Sequence, residues 1–69
     1  MRDKNRIPRV LSILQTVWME LPELRLGQLI ENACFGVDPF YIEDEKLETK
    51  LMEYLSRIQA NRYERKDER

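Results

Sequence analysis

The chain has 69 residues with 12 Lys and Arg, 13 Asp and Glu and no His, so its formal net charge is -1. This balance excludes a globally basic nucleic-acid binder, and the lack of His excludes Ser/His/Asp and Cys/His nucleophile arrangements within the chain. One Cys without His also excludes a zinc site of the Cys/His type, which needs four such ligands. We therefore expect a single domain that is not an enzyme, with no catalytic residues, no cofactor and no bound metal.

The sequence offers no segment suited to a membrane. Its longest uncharged run, residues 10–19, is too short to cross a bilayer. The charged residues at the start of the chain precede no apolar segment of the signal-peptide type. Cys34 has no partner for an internal disulfide, as is usual in a reducing compartment. These features predict a cytoplasmic protein.

Apolar residues recur at steps of three and four between residues 7 and 21, which predicts an amphipathic helix. Asn5 is suited to cap this helix, Pro8 fits its first turn, and Pro22 ends it. We place helix 1 at about residues 6–20. The residues of the stripe are Ile7, Val10, Leu11, Leu14, Val17, Trp18 and Leu21.

A shorter apolar stripe between residues 24 and 34 predicts helix 2 at about residues 25–35. Gly36 follows this helix, at a position where a left-handed residue commonly ends a helix. Gly27 lies inside it and has no side chain. We therefore expect helix 1 to approach closely at Gly27, with Trp18 as the neighbour.

The connection after helix 2 contains Asp38 and Pro39, which predict a cap and a single turn over about residues 39–41. Asp44 is expected to cap helix 3, which an amphipathic pattern places at about residues 44–62. The chain is almost wholly charged beyond that point. The prediction is an all-α, three-helix domain over residues 1–60, followed by a charged and frayed tail over residues 61–69.

We expect the three apolar stripes to pack together, with Phe35 and Tyr54 in positions where packing needs them. Two adjacent aromatic residues lie on the connection before helix 3. We expect Phe40 in the core and Tyr41 partly exposed. The predicted core residues are Leu14, Trp18, Leu29, Leu51 and Leu55.

The acidic residues around this connection resemble a calcium loop only superficially. An EF-hand needs oxygen ligands at alternating positions, and apolar Phe40, Tyr41 and Ile42 stand in their place. Helix capping explains Asp38 and Asp44 without a metal. We therefore predict no metal site.

Charge is distributed unevenly along the chain. Residues 1–9 carry four bases and one acid, residues 10–56 carry nine acids and three bases, and residues 57–69 carry five bases and three acids. Basic ends around an acidic middle could attract a mixed-charge partner or a second copy. Basic ends can equally serve only to keep the protein soluble. Two alternatives to a protein-interaction module stay open. One is nucleic-acid binding through the basic ends, and the other is an acidic decoy for a partner's basic site.

A core in a chain this short seldom gives more than roughly 3–5 kcal/mol of stability, so small domains often add a second subunit. The apolar face of helix 1 is wider than two small neighbours can cover. The leading hypothesis is therefore a helical protein-interaction module, with a homodimer favoured. The candidate partner-binding residues are Phe40, Tyr41, Glu43, Asp44 and Glu45.

Two blocks of the sequence resemble a known group. The pattern W-x-x-x-P-x-L-x-L-x-Q-L runs from Trp18 to Leu29, and D-P-F-Y-x-E-D-x-x-L runs from Asp38 to Leu47. Together these patterns resemble short bacterial and phage proteins, including the YihD-like family of unknown function, over about residues 6–55. The connection after helix 2 is shorter than in the longer members, and the tail differs. The resemblance implies a small helical fold without an assigned reaction, and a phage or bacterial accessory protein that binds or inhibits a host protein.

Overall fold

Three α-helices and one 3₁₀ turn occur in the described part of the chain, which contains no strand. The computed structural model describes the backbone of residues 3–67 and the side chains of residues 3–62. Helix α1 spans Arg6–Glu20, α2 spans Leu26–Cys34, the 3₁₀ turn spans Pro39–Tyr41, and α3 spans Asp44–Asp67. The predicted all-α, three-helix fold is confirmed.

The ends of α1 are set by main-chain hydrogen bonds and by proline. Asn5 occupies the N-cap position of α1, as predicted, but its side chain makes no capping hydrogen bond. Its N–H instead donates to Asp3 Oδ1 at 2.9 Å, which fixes the turn that leads into α1. At the other end, the N–H of Leu21 donates to the Trp18 carbonyl at 3.0 Å, and Pro22 prevents a further turn.

Helix α2 begins with a side-chain hydrogen bond and ends with left-handed residues. The Arg25 N–H donates to Gln28 Oε1 at 2.9 Å, so a Gln side chain satisfies an amide at the start of the helix. At the end, Phe35 and Gly36 have φ values of 38° and 83°, which confirms the left-handed ending predicted at Gly36. The close approach predicted at Gly27 was wrong, because nothing lies within 4 Å of where a Cβ would stand.

The 3₁₀ turn forms where the sequence predicts it. The Asp38 carboxylate accepts a hydrogen bond from the Phe40 N–H at 3.0 Å, and Pro39 follows as the first residue of the turn. Helix α3 then begins at Asp44 and continues to Asp67, five residues beyond the predicted end. Fraying of residues 61–69 stays a prediction, and residues 68 and 69 lie outside the described part.

Helix α3 supports both shorter helices, since α1 and α2 each pack mainly on it. Leu29 and Leu51 are fully buried, as predicted, whereas Leu14, Trp18 and Leu55 are only partly buried against the core. The indole N–H of Trp18 donates to the Leu24 carbonyl at 2.9 Å, so this ring ties α1 to the linker before α2. The buried residues of the core are Val17, Leu29, Ala33, Cys34, Leu51 and Ile58.

Three ion pairs show that α1 and α3 run in the same direction. The pairs join Arg6 to Asp44, Arg9 to Glu48 and Arg62 to Glu20, so both partners advance along the chain together. The distance from Arg6 Nε to Asp44 Oδ2 is 2.5 Å, and Arg9 binds both Glu48 oxygens, at 2.8 and 2.9 Å. Helix α2 connects the end of α1 to the start of α3 and runs in the opposite direction to both.

Candidate protein-binding surfaces

The described residues offer neither a metal cluster nor a membrane span. No group of three or more His, Cys, Asp or Glu side chains within the described part could hold a metal ion. No helix in the same part is long and apolar enough to cross a bilayer. The surface features with functional potential are an acidic aromatic segment and an apolar groove.

The first surface is the aromatic turn, defined as residues 35–41. Phe40 is 84% exposed and Tyr41 is 76% exposed, and their ring centroids lie 5.0 Å apart in an edge-to-face arrangement. Phe40 was predicted in the core, and that prediction was wrong. Leu29, Ala33 and Leu51 form one buried cluster and bring α2 directly against α3, so this part of the core has no place for a ring.

Phe35 is the second exception to the predicted packing. Its side chain is 81% exposed and its φ of 38° lies in the left-handed region, which a bulky residue rarely adopts. The ring therefore gains little from burial to offset the backbone cost. Exposure and backbone strain in one residue indicate a role at the surface, since strained residues concentrate at functional sites.

Acidic residues surround the aromatic turn. The sequence from residue 26 to residue 45 contains five acids and no base. Glu43 and Glu45 are exposed, whereas Asp44 is half-buried and binds Arg6, so Asp44 has a structural role at the start of α3. An open depression of about 450 Å³ adjoins the turn, lined by Glu31, Gly36, Val37, Asp38 and Pro39.

The second surface is the α1 groove, an open and mostly apolar concavity of about 500 Å³ on the outer side of α1. Leu11 is 56% exposed and Met19 is 70% exposed, and no described side chain of α2 or α3 lines the groove. The sequence indicated a surplus of apolar residues on helix 1 but did not locate this groove. The lining residues are Leu11, Leu14, Gln15, Trp18, Met19 and Pro22.

Several basic residues considered for nucleic-acid binding are engaged within the chain. Arg6, Arg9 and Arg62 each bind an acidic side chain. The hydrogen bonds to Arg9 lower the pKa of the Glu48 carboxyl from its ordinary value, and Glu48 raises the pKa of Arg9 in return. The side chains of Arg65, Lys66 and Arg69 lie outside the described residues.

Cys34 is a packing residue. Its side chain is fully buried in α2, and burial raises the pKa of the thiol above its ordinary value. Both properties disfavour the thiolate that reactive cysteines need.

Tyr54 is half-buried at the junction of α2 and α3. Its hydroxyl accepts a hydrogen bond from Asn32 Nδ2 at 3.3 Å, and the Arg57 guanidinium lies 5.6 Å from the centre of its ring. These contacts account for Tyr54 as a structural residue, in agreement with the packing role predicted for it.

The comparisons with known proteins give no neighbour for this chain. No protein-family model, curated protein or solved structure matches it.

Proposed function

We propose that this chain is a protein-interaction module that binds a basic surface of a partner protein through the aromatic turn. The observation that supports it most directly is the pair of exposed rings at Phe40 and Tyr41, held edge to face on a turn that Asp38 caps. Exposed aromatic residues on a rigid turn are typical anchors of protein interfaces, because they bury a large area at a small entropic cost.

The charge around the rings determines the chemistry of the partner. Glu43 and Glu45 are exposed beside the turn, and no base occurs in the sequence from residue 26 to residue 45. An Arg side chain of the partner could stack on an aromatic face and pair with a carboxylate, which combines two favourable interactions at one site. The acidic-decoy hypothesis becomes part of this proposal, because the same carboxylates attract the partner's bases.

The strain at Phe35 supports the same proposal independently. Its left-handed backbone ends α2, with the Phe35 N–H donating to the Glu31 carbonyl at 3.1 Å, whereas its ring is 81% exposed. The ring therefore fits a role in contact with another molecule. A phage or bacterial accessory protein that occupies a host protein in this way would need no catalytic group. A cytoplasmic location belongs to the same proposal.

A binding experiment with matched variants tests the aromatic turn. Wild-type chain and the double variant Phe40→Ala/Tyr41→Ala are immobilised and exposed to a lysate of the encoding organism, and recovered partners are quantified. We expect the wild type to retain a partner with a basic surface and the double variant to lose at least about tenfold in affinity. The control is Met52→Ala, an equally apolar truncation at a side chain that is 57% exposed on α3.

Charge reversal tests the chemistry of the partner. The variant Glu45→Lys should weaken binding at low salt, while Asp44 keeps its bond to Arg6. Binding that is indifferent both to this reversal and to salt contradicts a basic partner. Failure of the aromatic double variant to change binding contradicts the site itself.

Nucleic-acid binding through the basic ends is the alternative proposal, and a mobility-shift titration at low salt tests it. The internal pairs of Arg6, Arg9 and Arg62 count against it, since a phosphate would have to compete with a carboxylate already in place. A shift that weakens steeply with added salt would favour this alternative.

A further inference from the structure

We propose that the α1 groove is occupied by a second copy of the chain, with the two α1 helices packed antiparallel. The proposal concerns a surface other than the aromatic turn, and it holds whether or not that turn binds a partner.

The spacing along α1 is that of a paired helix. Ile7, Leu11, Leu14 and Trp18 follow one another at steps of four, three and four. Ile7 and Leu14 are therefore seven residues apart, as are Leu11 and Trp18, which is the heptad spacing of helices that pack side by side. Val17 instead faces the core and is fully buried. Helix α1 therefore has one apolar face for α3 and a second one on its outer side, which is exposed at Ile7 and Leu11 and only partly covered at Leu14 and Trp18. We call this second face the outer seam, defined as Ile7, Leu11, Leu14 and Trp18.

The shape of the outer seam fits its own copy. The α1 groove occupies the C-terminal half of α1, beside Trp18 and Met19, whereas Ile7 is 47% exposed in the N-terminal half. In an antiparallel pair, a twofold axis passes between Leu11 and Leu14, and Ile7 of each copy lies opposite Trp18 of the other. The exposed side chain of one copy then enters the concavity of the other, which is the self-complementarity a twofold interface requires.

Charge at the two ends of α1 favours the antiparallel arrangement. Arg6, Arg9 and Glu20 pair within the chain, so the charges that face a second copy are the exposed base Lys4 just before α1 and the exposed acid Glu23 just after it. An antiparallel pair brings the basic end of each copy to the acidic end of the other. A parallel pair would place the two basic ends together.

The exposed area is sufficient for such an interface. The chain exposes 5900 Å², whereas a compact monomer of this mass exposes about 4600 Å². Part of the excess comes from α3, whose 24 residues extend beyond the 15 of α1. A standard interface buries about 800 Å² on each partner. An area of that size is a small part of the exposed surface, and the outer seam would form its apolar centre.

Sedimentation equilibrium tests the dimer with two variants matched in exposure. Leu11→Lys puts a charge into the middle of the outer seam at a side chain that is 56% exposed, and Met52→Lys does the same on α3 at one that is 57% exposed. We expect the wild type and Met52→Lys to approach twice 8.4 kDa as concentration rises. We expect Leu11→Lys to dissociate at least about 100-fold more easily, because its charge would be buried without a partner. Circular dichroism is the control, and we expect it to show the same helix content in both variants as in the wild type.

A charge swap tests the antiparallel direction. Lys4→Glu and Glu23→Lys should each weaken the dimer, and the double variant Lys4→Glu/Glu23→Lys should restore it, because the two residues then pair across copies with exchanged signs. A wild-type chain that stays monomeric up to millimolar concentration overturns the proposal, as does a Leu11→Lys variant that dimerises like the wild type. Absence of rescue in the double variant overturns the antiparallel direction. Loss of partner binding in the Phe40→Ala/Tyr41→Ala variant with the dimer retained would separate the two surfaces.

Discussion

Arg62 on α3 binds Glu20 on α1 twice, through the side-chain carboxylate and through the main-chain carbonyl, with Nη2 at 2.6 Å from that carbonyl oxygen. The carbonyl belongs to the last residue of α1, where a helix leaves acceptors without partners and presents its negative end. One guanidinium therefore satisfies the end of one helix from the side of another. This contact sets the position along α3 at which α1 ends.

We expect Arg62→Gln to lower the free energy of unfolding by about 0.5–1 kcal/mol, because the pair is partly exposed but includes a main-chain acceptor. Urea denaturation measures this change, and hydrogen exchange should show faster opening near Ile58. Lys46→Gln, which removes an exposed base elsewhere on α3, is the control and should change stability little. Equal stabilities for the two variants would show that the contact contributes nothing.

We expect Leu51→Ala to unfold most of the protein, because a fully buried Leu contributes about 2–5 kcal/mol and a domain of this size has little more in total. Leu51→Val should cost about 1 kcal/mol and leave a measurable transition. The adjacent Met52→Ala is the control, since that side chain is 57% exposed. Circular dichroism during urea titration provides the measurement, and a mild effect of Leu51→Ala would contradict the position of the core.

The Arg9–Glu48 pair predicts that the free energy of unfolding falls at acidic pH. The folded state lowers the pKa of Glu48, chiefly through the hydrogen bonds from Arg9, so the carboxylate stabilises the fold above its unfolded pKa. That contribution is lost as the pH falls through the folded pKa. Carbon-detected NMR titration should show Arg9→Gln raising the pKa of Glu48 toward its ordinary value. Arg25→Gln, on the linker, should leave it unchanged.

Cys34 is expected to report opening of the core. Its thiol is fully buried and its pKa is raised, so an alkylating reagent should modify it only when α2 separates from α3. We expect slow modification of the native wild type, faster modification of Leu51→Val and full speed in denaturant. Met52→Ala should match the wild type. Rapid modification of the native protein would contradict the burial of the thiol.

Phe35→Gly is expected to stabilise the protein. The left-handed φ of 38° costs a bulky residue about 1–2 kcal/mol and costs Gly almost nothing, while Gly loses more chain entropy on folding. The net gain should be about 0.5–1 kcal/mol, measured by urea denaturation. Val37→Gly is the control and should destabilise, because Val37 has a negative φ. A partner that binds the aromatic turn should bind Phe35→Gly less well, so stability and binding would change in opposite directions.

The helices were predictable because their signals are local. Apolar steps of three and four, Pro22 and the Asp38–Pro39 pair each act within a few residues, and the observed helix starts lie within about one residue of the predicted ones. The end of α3 was predicted too early, because the charged residues after Ile58 gave no apolar stripe to follow. A chain of good helix formers continues a helix that is already nucleated.

The packing of the aromatic residues could not be predicted in the same way. Phe35 and Phe40 are apolar in the sequence, and whether an apolar ring is buried depends on the space that other elements leave. Leu29, Ala33 and Leu51 fill that space through contacts between α2 and α3, which no local pattern encodes. Of the candidate binding residues, Tyr41, Glu43 and Glu45 are exposed, whereas Asp44 pairs with a residue 38 positions earlier in the chain.

Because α1 and α2 are both supported by α3, a part of the chain that is translated after them provides the surface against which they fold. Helices of 15 and 9 residues are marginal or unstable in isolation. A nascent chain on the ribosome therefore has no stable structure to adopt until Leu47, Leu51 and Ile58 have emerged from the exit tunnel. Folding therefore follows the synthesis of α3, and before that point the apolar residues of α1 are open to chaperones.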